Sequence, residues 1–247
     1  MASPRELKSP PISEALVDVR AAVSAPPEIF EALSRELQGE YPKTDTRRGV
    51  LAEFRVEQGK LIPPTTQDLG FQGVWLHKED GTAIVQFRPD GFTFNNVNSY
   101  MGGAKLIGEA IRLWSKFVVH IQPTGVTRIA LRYINQLKLP FQPGDEFSRF
   151  LTAAPPTPEG APQSVSEFLS RVVAHDEADT GATVITTQRL TIPDPTAPLV
   201  VIDVDAFRQG DFSDDADELR LVLDSLRVLK NRTFFSLLTD QAVELFV

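Results

Sequence analysis

"VTRIALRYINQLKLP", residues 126 to 140, decides how this chain is read. As a strand it alternates: Ile129, Leu131, Tyr133, Leu137 and Leu139 fall on one side, and Arg128, Arg132, Gln136 and Lys138 on the other. The apolar side calls for a core. Two arginines four residues apart on the other side suit solvent exposure, one wall of a polar groove, or a phosphate site.

Upstream, "EALVDVRAAV" (14–23) alternates in the same way, with Ala15, Val17, Val19 and Ala21 opposite Glu14, Leu16, Asp18 and Arg20. "APPEIFEALSRELQGEYP" predicts a helix: proline in the first turn, Glu28 at its positive end, and Ile29, Phe30, Leu33 and Leu37 at helical spacing. Gly39 and Pro42 stop it. Strand candidates follow at 49–57, 70–80 and 82–95, with "KEDG" (78–81) as a hairpin turn between the last two. Asp90-Gly91 is a further turn or bulge signal. A second helix, "AKLIGEAIRLWSKFVVHI", carries one apolar stripe of Leu106, Ile107, Ala110, Ile111, Trp114, Phe117 and Val118.

Residues 1–140 thus run strand, helix, three strands, helix, strand. Residues 141–164 are proline-rich and read as a connector with a short helix, "EFSRFL", inside it. Residues 165–247 offer three strands, "EFLSRVVAHD", "GATVITTQRLTIPD" and "APLVVIDVDAFRQ", and then a long helix with Leu219, Val222, Leu223, Leu226 and Leu229 at three-four spacing. "TDQAVELFV" closes the chain as a short helix or strand. The expected class is α+β, with two sheet-plus-helix halves, a mainly antiparallel sheet and helices packed on one face. Whether the halves are separate or one continuous domain is left open by the pattern.

Composition narrows the function. Of 247 residues, 42% are hydrophobic and 23% charged, as in ordinary globular proteins. A net charge of −8 gives no global attraction to nucleic acid or anionic membranes. The absence of cysteine removes disulfides, thiolate ligands and cysteine nucleophiles, and suits a reducing compartment. No apolar run approaches the roughly 20 residues of a membrane span, and "MASPRELKSPPISEALVDVR" lacks a signal-like apolar segment. A cytoplasmic protein without membrane contact is expected.

Several phrases occur together and in order: "PPISEALVDVR", "FRPDGFTFNNV", "EAIRLWSKF", "VTRIALRYINQLKLP", "VVIDVDAF" and "LRVLKNRTFFSLLTDQAVELF". Over nearly the whole chain they resemble a family of bacterial proteins of unknown function described as sporadically distributed. The resemblance implies a shared fold and origin, and the family's patchy distribution hints at toxin–antitoxin or phage-defence loci. It transfers no activity, ligand or catalytic residue.

The residues carry no phosphate-loop, dinucleotide-binding or nucleophile-elbow motif. His77, His120 and His175 lie far apart and read as structural or exposed. Four features remain. Asp203 and Asp205, two apart on a strand, point to one face and could hold Mg²⁺, or could pair with neighbouring arginines. Nucleotidyltransferase-like use of such a pair also needs a glycine-rich helix start shortly upstream, and Gly102-Gly103 lies about 100 residues too early. Arg20, Arg88, Arg128, Arg132 and Arg189 lie in predicted strands and form either a basic stripe or cross-strand pairs with Glu14, Asp18, Glu53, Glu57, Asp203 and Asp205. Lys230, Asn231 and Arg232 precede Phe234-Phe235, a combination suited to base stacking or, better, to a packed helix end. Asn95, Asn96, Asn98 and Tyr100 supply a polar loop for a ligand or for turn geometry.

The preferred reading is a non-enzymatic module, or a homo-oligomer, that recognises another protein through a charged sheet face or an exposed apolar edge, with Arg20, Arg88, Arg128, Arg132 and Asn95 as candidate contacts. The alternative is an enzyme or sensor for a nucleotide or phosphorylated ligand, with Arg128, Arg132 and Arg88 as anion clamps and Asp203 and Asp205 holding Mg²⁺. Reversing Arg128 and Arg132 to glutamate would, on the first reading, abolish binding and leave stability nearly unchanged.

Overall fold

A computed structural model describes residues 1–57, 59–141, 146–163, 165–179, 181–191 and 198–247. Among them, nine strands form one antiparallel sheet: β1 (Ile12–Ala22), β2 (Lys43–Glu57), β3 (Lys60–His77), β4 (Ala83–Arg88), β5 (Gly91–Val97), β6 (Gly125–Lys138), β7 (Phe168–His175), β8 (Ala182–Thr191) and β9 (Leu199–Phe212). Their spatial order is β2-β3-β4-β5-β1-β6-β9-β8-β7. Helices α1 (Pro27–Glu36), α2 (Gly103–Ile121) and α3 (Ala216–Ser236) pack on one face, and a short α4 (Asp240–Val243) lies near the end of the chain. This is the expected mainly-sheet α+β class.

Period-two burial places the core. Ala15, Val17, Val19 and Ala21 of β1, Ile129, Leu131 and Tyr133 of β6, and Val200, Ile202, Val204 and Ala206 of β9 all face the helices and are almost fully buried. Over them α2 lays the predicted stripe, with Leu113 and Ile121 added and Val118 only partly buried. Phe87, Phe92, Trp114 and Phe117 form a stack with ring centroids 5.3–6.3 Å apart. The acidic start of α3 is capped by Asp215, whose Oδ1 accepts from the amides of Asp217 and Glu218, each at 2.9 Å.

Three boundaries differ from the sequence reading, each for a local reason. The first helix ends at Glu36, ahead of Gly39. The candidate at 82–95 is two strands, because Asp90-Gly91 makes a tight turn with Gly91 at φ 138°. The expected strands at 49–57 and 70–80 are the middle and end of a longer ribbon that also takes in residues 43–48 and 60–69. The "EFSRFL" segment is a 3-10 turn (Phe147–Arg149) followed by buried Phe150 and Leu151, so that end of the connector is anchored to the core. Residues 142–145 and 164 of the connector, and 192–197 between the second and third C-terminal strands, lie outside the described residues. No described helix is long and apolar enough to cross a membrane.

Candidate functional site: a charged groove on the open sheet face

With the helices on one face, alternate residues of the central strands point to a face that no described helix covers. β1 runs between β5 and β6, so Asp18 lies opposite Thr93 on one side and Ala130 on the other. These short side chains make a floor. Longer ones rise around it: Gln86 and Arg88 from β4, Asn95 from β5, Glu14 and Arg20 from β1, Arg128 and Arg132 from β6, and Asp205 from β9. The resulting open cavity has a volume of about 560 Å³.

Asp18 is the hub, only 6% exposed. Its Oδ1 accepts from Arg20 Nε (3.0 Å) and Arg128 Nη1 (3.2 Å), and its Oδ2 from Arg88 Nη2 (3.1 Å) and Thr93 Oγ1 (2.8 Å). One buried carboxylate therefore orients three guanidiniums, which makes its own burial tolerable. Arg88 is further fixed by Gln86 Oε1 (2.9 Å), Thr93 Oγ1 (2.6 Å) and Asp90 Oδ1 (2.9 Å). Arg20 also pairs with Asp90. Arg128 donates to Asp205 Oδ2 at 2.8 Å and lies 4.4 Å from the Phe207 ring centroid. Arg132 grips Asp203 with both arms, Nε–Oδ1 at 2.9 Å and Nη2–Oδ2 at 2.6 Å. Asn95 Nδ2 donates to Glu14 Oε1 at 2.5 Å and its Oδ1 accepts from Gln86 at 3.3 Å.

The two aspartates proposed from sequence have different environments. The hydrogen bonds from Arg132 hold the Asp203 carboxylate and raise the Arg132 guanidinium pKa further above its usual value. Burial pushes the Asp205 carboxyl up, against the pull of Arg128 and Arg132, and its Oδ1 is buried without a hydrogen-bond partner among the described residues. Both aspartates are engaged by arginines, and no third His, Asp or Glu among the described residues joins them in a metal-binding cluster. This arrangement fits ion pairing and does not fit Mg²⁺.

The structure thus brings Arg20, Arg88, Arg128, Arg132 and Asn95 together. Arg189 is exposed on the same face, outside the groove. Glu14, Asp18, Asp203 and Asp205 are the carboxylates of this face, whereas Glu53 pairs with Arg55 elsewhere. The histidines are scattered: His77 contacts Asp45 (3.3 Å), His120 contacts Glu36 (2.6 Å) and His175 contacts Thr183 (3.1 Å). Phe234 and Phe235 are each 5% exposed and pack edge-on at 5.4 Å, so they form no stacking platform, while Arg232 pairs with Asp176 at 2.7 Å. Asn96 braces the loop before α2, donating to the carbonyls of Thr82 (3.0 Å) and Ser99 (2.9 Å); Asn98 takes a left-handed turn, and Tyr100 meets the Tyr133 hydroxyl at 3.2 Å. Thr93 and Gln86 were not singled out by sequence. The available signal was their two-residue spacing from Asn95 and Arg88. No protein-family model and no curated protein matches the chain.

Proposed function

We propose that this chain is a non-enzymatic binding module whose open sheet face receives an extended segment of another protein, with Arg20, Arg88, Arg128, Arg132 and Asn95 as the contact surface. The pre-pairing of the groove's charges supports this best. A catalytic site needs a nucleophile or base free to react, whereas each of these arginines is held by a carboxylate at its base. Such fixed donors lose little freedom on binding. Arg20 and Arg132 keep 41% of their side chains exposed, which leaves outward N–H groups for a partner. The reading includes a cytoplasmic setting, two sheet-plus-helix units meeting along β6 and β9, and a toxin–antitoxin or phage-defence context drawn from the family resemblance.

A second reading, a nucleotide or other phosphorylated ligand, is favoured by the convergence of four arginines on one concavity. Native mass spectrometry of tagged protein drawn from its own cytosol separates the two, with Arg132→Gln run beside it. A stoichiometric protein partner lost in the folded variant supports the module. A small anionic mass lost in the variant supports the second reading. Retention of either partner by the variant removes the groove from the account.

A further inference from the structure

The sheet's β2 edge is a projecting ribbon. β2 and β3 pair with each other from Lys43↔His77 to Glu57↔Lys60, but β3 pairs with β4 only over Val74–His77. Among the described residues, the outer part of the ribbon therefore has no strand neighbour on either side; Val50–Glu57 alone extends for roughly 26 Å. Alternation puts Val50, Ala52, Phe54 and Val56 on one face and Leu51, Glu53, Arg55 and Glu57 on the other. Val50, Phe54, Val56 and Leu61 are about two-thirds exposed (65–67%). This is the pattern of a half-buried strand, yet no core among the described residues packs against it.

The ribbon's two free edges are built differently. On β3, Pro63 and Pro64 lack amide donors at the point where the register slips, and Gly70 and Gly73 kink the strand at φ 74° and 131°. Such features blunt an edge against pairing. From Val50 to Glu57, β2 has neither proline nor glycine, so the ribbon offers one strand to a partner. The ribbon (43–77) carries five lysines and arginines against four carboxylates, so it lacks the basic excess that nucleic acid or an anionic membrane requires.

We propose that two copies of this chain associate by antiparallel pairing of their β2 strands across a two-fold axis at Phe54. A two-fold interface needs a self-complementary strand, and "AEFRV" (52–56) is one. In this register Glu53 of each copy lies opposite Arg55 of the other, Phe54 meets its mate, and Ala52 meets Val56. An axis one residue away sets Glu53 against Glu53 or Arg55 against Arg55. An axis between residues would turn the apolar face of one strand to the charged face of the other.

Sedimentation equilibrium on the full chain tests this. The expected species has twice the 27.3 kDa chain mass. Arg55→Glu makes both cross-pairs repulsive and should weaken the dimer by roughly 30-fold. Adding Glu53→Arg to it should restore the dimer. These side chains are exposed, so the variants keep their melting temperature, and calorimetry confirms that they are folded. A wild-type monomer at all concentrations overturns the proposal. So does a dimer insensitive to Arg55→Glu, or one that the double exchange fails to restore.

Discussion

Replacing Asp18 by asparagine tests whether the groove is a preassembled network. The side chain is 9% exposed, against 12% for Arg88, 21% for Arg128 and 41% for Arg20. Asparagine keeps one acceptor oxygen, removes the charge facing three guanidiniums, and turns an amide donor toward other donors. Breaking a fully buried pair costs about 3–5 kcal/mol. The partial exposure of Arg20 and Arg128 places this case at the lower end, roughly 3 kcal/mol. For a chain of this size that corresponds to a fall in melting temperature of roughly 6–12 °C. Asp205→Asn is the internal control. It touches the same Arg128, but burial already works against the Asp205 charge and one of its oxygens is unbonded, so an amide should cost no more than about 1 kcal/mol. Guanidinium unfolding with matched m-values, backed by calorimetry, gives both numbers. If Asp18→Asn costs no more than Asp205→Asn, Asp18 is not the hub and the preassembly argument fails.

Three further outcomes are expected. Arg128→Glu with Arg132→Glu sets new carboxylates beside Asp18, Asp203 and Asp205, so calorimetry should show a clear loss of stability, in place of the near-neutral effect inferred from sequence alone. Lys230 is buried with its Nζ 3.6 Å from the Tyr133 ring centroid, and burial pushes its pKa down to about 7. The unfolded chain then binds this proton more tightly, so stability should rise between pH 7 and roughly 10, and Lys230→Met should remove that rise and be the more stable protein at pH 6; urea titrations across this range check both. Gly91→Ala should cost on the order of 4 kcal/mol by urea unfolding, because its positive φ and close approach to the Val19 carbonyl leave no room for a methyl group, while Gly39→Ala, with open space around it, should be nearly neutral.

What could be read from the sequence follows from how local each feature is. The faces of β1 and β6 and the stripe of α2 were legible because burial imposes periods of 2 and 3.6 directly on the residues. Residues 60–69 were not assigned to a strand, since Pro63-Pro64 reads as a break and no core among the described residues packs there to sharpen the pattern. Parity set Arg128 and Arg132 on one side of their own strand, but whether the arginines of different strands share a face was left open. Their convergence was not legible, because it depends on β1 inserting between β5 and β6, which pairs residues as far apart in sequence as Arg20 and Gly91 on one side and Ile12 and Asn135 on the other.

Asp18 shows most plainly why local pattern runs out. At its position in β1, a solvent-facing aspartate and a buried hub give the same alternation. What buries it is side-chain length on neighbouring strands: Ala130 and Thr93 lower the floor, and Arg88 and Arg128 close over it. Moving either arginine one position along its strand would turn it into the helical face and remove one of the carboxylate's three arginine partners. The groove therefore depends on sheet register, and that register holds Arg20, Arg88 and Arg128 around one carboxylate.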